Sequence, residues 1–315
     1  MNRTSYAGLI AVAVFTLTDS AAFAQSQLRT WVSGTGDDVN PCSRIAPCKT
    51  FQGAIGKTAA HGQVNCLDSA GFGIVTIIKA ISIICDTTEG GVLVNGNDAV
   101  SIRAGATDIV YLSGLDVEGG NSNSIGVNFV SGGALHIVNS KVRGFNTAGV
   151  WVQPSTGVSE IYVVNSTISD NSGGNLLLAP TGTGSIEGSL RNVSLLNGGV
   201  YGLKADGSAG STASSSINVG VADSTISGNG AGGVVAASAG SPVSVMVENS
   251  TIMGNTQGVT ASGTAGSIAI RVGGSIVSGN GTGFKAAGVA QVVSYKNNYV
   301  DGNTSLGSFT SISPQ

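Results

Sequence analysis

The chain has two histidines in 315 residues, His61 and His136, so imidazole chemistry rests on very few positions. His136 stands 25 residues after Tyr111 and 26 before Tyr162, and Glu160 stands 27 before Glu187. If those intervals are whole structural repeats, three rings form one column and two carboxylates form another beside it. Aromatics are 5% of the chain, so three in one column exceed background. Flat rings beside carboxylates suit sugar binding, because rings pack on the CH faces of a pyranose while polar groups fix its orientation. Tyr111, His136, Tyr162 and Glu160 are therefore the candidate ligand-binding residues. Glu160 and Glu187 are the candidates for a catalytic pair. Adjacent repeats would bring them near the roughly 5–5.5 Å carboxyl separation of retaining glycosidases. Two equivalent glutamates projecting in parallel, however, give no acid and nucleophile on opposite sides of a bond. The same intervals set Asp116 beside Lys141 and Glu118 beside Arg143, which reads as exposed cross-strand ion pairs contributing about a few tenths of a kcal/mol each.

The cysteines are Cys42, Cys48, Cys66 and Cys85, an even number that suits disulfides and allows three connectivities. Cys42–Cys48 would close a small loop containing Pro47. Cys66–Cys85 would join positions 19 apart, close to one repeat, and this pairing is the expectation. There is no CxxC and histidine is scarce, so neither a metal nor another cofactor is expected. Oxidised cysteines imply export, and the N-terminus agrees. Arg3, the apolar run Ala7–Leu17 and Ala22-Phe23-Ala24 read as a secretory signal peptide cleaved near Ala24. Nothing later reads as transmembrane, so the mature form is expected outside the cytoplasm, extracellular, at the cell surface or in the periplasm, without membrane insertion. Charged residues are only 10% and the net charge is −3 without a basic block, which makes nucleic acid a poor partner.

What positions the candidate residues is a repeat. VVNSTISDN (163–171), VADSTISGN (221–229) and VENSTIMGN (247–255) echo one another, and Gly114, Asn139, Asn165, Asn192, Asp223, Asn249, Gly274 and Asn297 fall in equivalent places 23 to 31 residues apart. Periods of that size mean stacked coils, and short strand-like runs broken by Gly, Asn and Ser exclude helical repeats. In one coil Val243–Val247 reads as a strand, Asn249 bends it, Ser250–Ile252 is a second strand, Gly254-Asn255 turns and Val259–Ala261 is a third. The fold class is therefore all-β, a single-stranded right-handed parallel β-helix with three short strands per coil. Alternation assigns the faces. Val117, Val142, Ile168, Leu195, Ile226, Ile252, Val277 and Val300 form one inner column. Ser140, Ser166, Ser224, Ser250 and Ser275 form a second, and Ile137, Val163, Leu190, Val221, Val247, Val272 and Tyr295 a third.

The opening of the mature chain carries a further signal. Trp31-Val32-Ser33, the turn Gly36–Pro41 and the segment Pro47–Gln52 resemble the start of bacterial right-handed β-helix proteins of the pectate-lyase-like superfamily, in particular its exported branch. There the last segment enters a capping helix. Here Phe51, Ala54, Ile55 and Thr58 share a helical face and Thr50 is the expected N-cap. Opening and repeats divide the chain into a signal peptide (1–24), an N-terminal strand, turn and capping helix (25–61), the β-helix coils (62–304) and a C-terminal tail or cap (305–315).

The superfamily includes polysaccharide lyases, glycoside hydrolases, epimerases and adhesins, so the resemblance implies a fold more than an activity. The clustered aspartates, Gly-His-Gly and Arg-x-Lys of its hydrolases and the calcium-holding aspartates of its lyases have no counterpart here. The loops PSTGVS, PTGTGS, DGSAGSTASSS, SAGSP and SGTAG carry no charge except Asp206, whereas a cleft for acidic sugars would want basic residues. No barrel-type strands follow up to Gln315, which disfavours an autotransporter passenger. The expectation is a secreted non-enzymatic β-helix protein contacting a polysaccharide or cell-surface glycan through one outer strand face. The alternative is a carbohydrate-active enzyme, a glycoside hydrolase or polysaccharide lyase.

Overall fold

The computed structural model of the chain describes residues 27–94, 96–120, 124–210 and 214–313. The expected signal peptide with its cleavage site near Ala24 lies outside the described residues. Those that are described form a parallel β-solenoid of three sheets, one of 12 strands and two of ten. In one representative coil the strands are Val243–Glu248 in the first sheet, Thr251–Met253 in the second and Gln257–Gly263 in the third. Each pairs in parallel with its counterparts one coil before and one after.

The bends explain the recurring Asn. Asn139, Asn165, Asn192, Asp223 and Asn249 have φ between 46° and 53°, and Gly114 and Gly274 share the left-handed region. Asn, Asp and Gly are the residues that enter it at low cost. Five residues further on, Gly144, Asp170, Asn197, Gly228, Gly254 and Gly279 repeat the conformation. Between the two bends lies the short strand of the second sheet.

The interior columns lie where alternation puts them. Val117, Val142, Ile168, Leu195, Ile226, Ile252 and Val277 are at most 1% exposed. The serines are buried and bond along the stack: Ser140 N–H donates to Ser166 Oγ, and Ser224 N–H to Ser250 Oγ, both at 3.1 Å. Val193 occupies the serine place in one coil and interrupts that ladder. The Gly-Asn pair divides its work differently from the expected turn. The glycine makes the bend, while Asn229, Asn255 and Asn280 point inward and are at most 2% exposed. Asn255 Oδ1 accepts from both the backbone N–H and the Nδ2 of Asn229 at 2.9 Å, and Asn280 Oδ1 does the same for Asn255 at 3.0 Å. A buried amide is tolerated where all its groups are paired, as they are in such a ladder.

The last coil departs from the sequence pattern. Asn297 does not take the left-handed conformation, and Ser294, not Tyr295, lies opposite Val272. Ser294 is consequently buried and Tyr295 is half-buried. The reason is one additional residue at this bend, since Val272 to Ile276 spans four steps and Ser294 to Tyr299 five. Residues 305–313, read from sequence as a tail or cap, contribute the strands Ser305–Gly307 and Thr310–Ile312, which pair with the coil before them.

At the other end, the helix Phe51–Lys57 covers the first coil. Thr50 caps it by accepting from Gly53 N–H at 2.9 Å, and Phe51 packs on the Phe72 ring at 5.0 Å. Phe51, Ala54 and Ile55 are buried, and burying one such phenylalanine contributes about 2–3 kcal/mol. Thr58, expected on the same face, ends the helix instead and donates to Ala54 O at 2.7 Å. Both expected disulfides are present, Cys42–Cys48 and Cys66–Cys85, with Cα separations of 4.6 and 4.9 Å. No helix among the described residues is long and apolar enough to cross a membrane.

Candidate functional site

Four adjacent strands of the first sheet carry the candidate residues: Ile109–Ser113, Ala134–Val138, Val158–Val164 and Ser185–Arg191. Inward positions Val110, Leu112, Leu135, Ile137, Ile161 and Val163 are at most 1% exposed and lock the strands to the core. The alternate positions must then face outward. Tyr111 pairs with His136, and His136 with Tyr162, as direct Cα partners. The ring centroids of Tyr111 and His136 are 5.6 Å apart at 31°, and those of His136 and Tyr162 are 4.8 Å apart at 21°. The three rings thus make one continuous, half-buried column. It is bounded by small residues, Ser82 opposite Tyr111 and Ser189 opposite Tyr162.

Glu160 and Glu187 are also direct partners on neighbouring strands, and both are exposed. Tyr162 donates its hydroxyl to Glu160 Oε2 at 2.9 Å. That hydrogen bond, with some burial and the charges of Glu160 and Glu187, raises the Tyr162 pKa. Burial lowers the pKa of His136, against the opposing pull of Glu160. Around pH 7 the imidazole is therefore neutral and the Tyr162 phenol keeps its proton, with the negative charge to one side.

The second sheet corrects one expected pairing. Lys141 lies opposite Asp116 in register, but Arg143 takes both carboxylates, bonding Asp116 Oδ1 and meeting Glu118 Oε2 at 2.9 Å. A planar guanidinium presents two donors in a fork, and a single ammonium does not. Beside these residues runs a groove that the repeat did not reveal. One part, of about 420 Å³, is lined by Asp86, Glu89, Asp116, Asn139 and Lys141 among others, and an adjoining 290 Å³ part reaches Glu118 and Arg143. Asp86 accepts from the Ser113 hydroxyl and from Asn139 Nδ2. It lies upstream of the first recognisable bend, at Gly114, so repeat alignment could not place it. The signal available was its position next to Cys85. Asp38 accepts from Lys49 N–H, Thr50 N–H and the Thr50 hydroxyl at the start of the capping helix, and His61 is an exposed residue of the strand Thr58–Cys66 with φ 61°.

No protein-family model matches the chain, and a search of curated proteins finds no significant match. Solved structures do resemble it. The pectate lyase Pel9A superposes with a TM-score of 0.52 at 14% identity, over 92% of this chain and 78% of that one. Tailspike protein 2 of Escherichia coli O157:H7 bacteriophage CAB120 gives 0.55 at 10% identity, over 83% of this chain and 38% of that one. The fold is a parallel β-solenoid similar to the β-helix of the pectate lyase. The A-module of an Azotobacter vinelandii mannuronan C-5 epimerase also matches, with a TM-score of 0.43 at 13% identity over 81% of this chain and 91% of that one. The β-helix scaffold fixes the coil architecture and leaves the outer strand faces to this chain's own residues.

Proposed function

We propose that this is an exported β-helix protein that binds a glycan along the Tyr111–His136–Tyr162 strip and does not turn it over. The observation that carries the reading is the ring column itself, with spacings of 5.6 and 4.8 Å on an outer face whose inward neighbours already fill the core. The fold does not need rings there. Their cost in conformational freedom suits a ligand surface that is ordered before the ligand arrives. The pectate lyase among the similar structures acts, by its name, on a polysaccharide, which favours a glycan over other ligands. Export rests on the expected signal peptide and on the two disulfides. Binding is favoured over hydrolysis because Glu160 and Glu187 project from adjacent parallel strands to the same side. Glu160 is also engaged by the Tyr162 hydroxyl.

The test is a glycan array on the mature protein, followed by titration and a reducing-sugar assay on any hit. Tyr111→Ala with Tyr162→Ala is expected to leave thermal unfolding nearly unchanged and to weaken binding at least about tenfold, or 1.4 kcal/mol. Binding that survives the double change would place the site on another face. Reducing ends that accumulate with the native chain and cease with Glu160→Gln would replace the binder by a hydrolase.

A further inference from the structure

We propose that the glycan taken by this strip carries free amino groups, as in a de-N-acetylated hexosamine polymer, with Glu160 and Glu187 receiving its ammonium groups. The proposal rests on the strip being a glycan site. Three observations set the charge class. First, Glu160 and Glu187 are direct cross-strand partners, an arrangement in which like charges destabilise a sheet. The ion pairs among the described residues belong to Arg143, Arg191 and Lys204, and none reaches either glutamate. An ammonium placed between the two carboxylates would relieve that repulsion, whereas a uronate would add a third negative charge.

Second, the surroundings supply no cation that could compensate a uronate. The loops entering these strands, Gln153–Gly157 and Ala179–Gly184, contain no charged residue. Arg191, on the same strand as Glu187, is held by Asp223 at 3.5 Å. Third, the ring faces attract cations through their quadrupoles. Between the two phenols, burial keeps His136 below the ordinary imidazole range despite Glu160, so at pH 7 the column does not repel an ammonium.

The experiment titrates the native protein with three oligosaccharides of equal length: a glucosamine oligomer, its fully N-acetylated form and an oligogalacturonate. The glucosamine oligomer is expected to bind at least tenfold more tightly than the N-acetylated form at low ionic strength. The preference should shrink as salt is added, because exposed charges are screened. The E160Q/E187Q double variant should bring the glucosamine oligomer down to the affinity of the N-acetylated one measured on the same protein. Circular dichroism establishes that the variant is folded, and the salt dependence of the native chain gives an independent reading. Equal binding of the amine and acetamide forms, tighter binding of oligogalacturonate, or a preference that survives in E160Q/E187Q would each overturn the charge assignment. In all three cases binding that still requires Tyr111 and Tyr162 would leave the strip standing as a glycan site. Failure of all three oligosaccharides to bind would overturn the charge assignment, while the glycan array separately decides whether the strip binds a glycan.

Discussion

Replacing Asn255 by alanine tests whether the interior amide ladder holds the coils together. The Asn255 side chain makes four hydrogen bonds. Its oxygen accepts from Asn229 N–H and Nδ2 at 2.9 Å each, and its Nδ2 donates to Asn280 Oδ1 at 3.0 Å and to Ile226 O at 3.1 Å. After truncation some partners keep other bonds: Asn229 Nδ2 still reaches Leu195 O at 3.3 Å, and Asn280 Oδ1 still accepts the backbone N–H of residue 255. The group left stranded is the backbone N–H of Asn229, in a residue only 1% exposed. A buried unpaired donor costs about 1–3 kcal/mol and each lost bond about 0.5–1.5 kcal/mol, so the expected loss is about 3–5 kcal/mol. The matched control is Asn249→Gly, where an exposed residue at φ 46° becomes one that accepts left-handed backbone freely. It should stay within about 0.5 kcal/mol of the native chain. Urea denaturation followed by circular dichroism gives the two midpoints, and hydrogen exchange at the Asn229 amide gives a local reading. If Asn255→Ala loses no more than Asn249→Gly, or the Asn229 amide exchanges no faster, the ladder does not stabilise the solenoid in the way argued.

The aliphatic column is tested by Ile226→Ala, expected to cost about 2–5 kcal/mol because the side chain is fully buried. Its neighbour Thr225→Ala, facing outward, should cost under about 1 kcal/mol, and equal losses in the same denaturant series would contradict the face assignment. Acid should loosen the capping helix first. Burial raises the Asp38 pKa, but the bonds from Thr50 and Lys49 and the charge of Lys57 outweigh it and lower the net value. The carboxylate's contribution is therefore complete above its unfolded pKa of about 3.9 and is lost as pH falls through the lower folded value. Hydrogen exchange in the helix Phe51–Lys57 should accelerate on that descent in the native chain. Asp38→Ala should already be accelerated at pH 7 and change little further; an equal acid response in both proteins would show that Asp38 does not anchor the cap.

The bends, the aliphatic and serine columns, the disulfide pairing and the vertical alignment of Tyr111, His136 and Tyr162 were all legible in the sequence. Apart from the short Cys42–Cys48 loop, each depends on periodicity, and a parallel stack converts equal spacing directly into Cα partners. Asparagine was legible only in part. The same residue type bends the backbone at Asn249 and pairs its amide inside the core at Asn255, and composition does not distinguish the two uses. The groove at Asp86 lies before the repeat becomes regular. The last coil was misread at Tyr295 because a single added residue at a bend exchanges the two faces of a strand. The charge network on the second sheet followed side-chain reach: Arg143 spans both carboxylates where register alone would have given one to Lys141.

The constant five-residue interval between the two left-handed bends confines length variation to another edge of the molecule. In the coil ending at Gly263 the next strand begins at Ile268, while in the coil ending at Asp206 it begins at Ile217. The strands on either side of the longer connection keep their register. This edge is the one from which the chain enters the strands bearing Glu160 and Glu187. Insertions there would raise or lower a wall beside the two carboxylates without moving a ring of the neighbouring column. The scaffold thus separates the part that sets spacing from the part that sets enclosure, and each can diversify without disturbing the other.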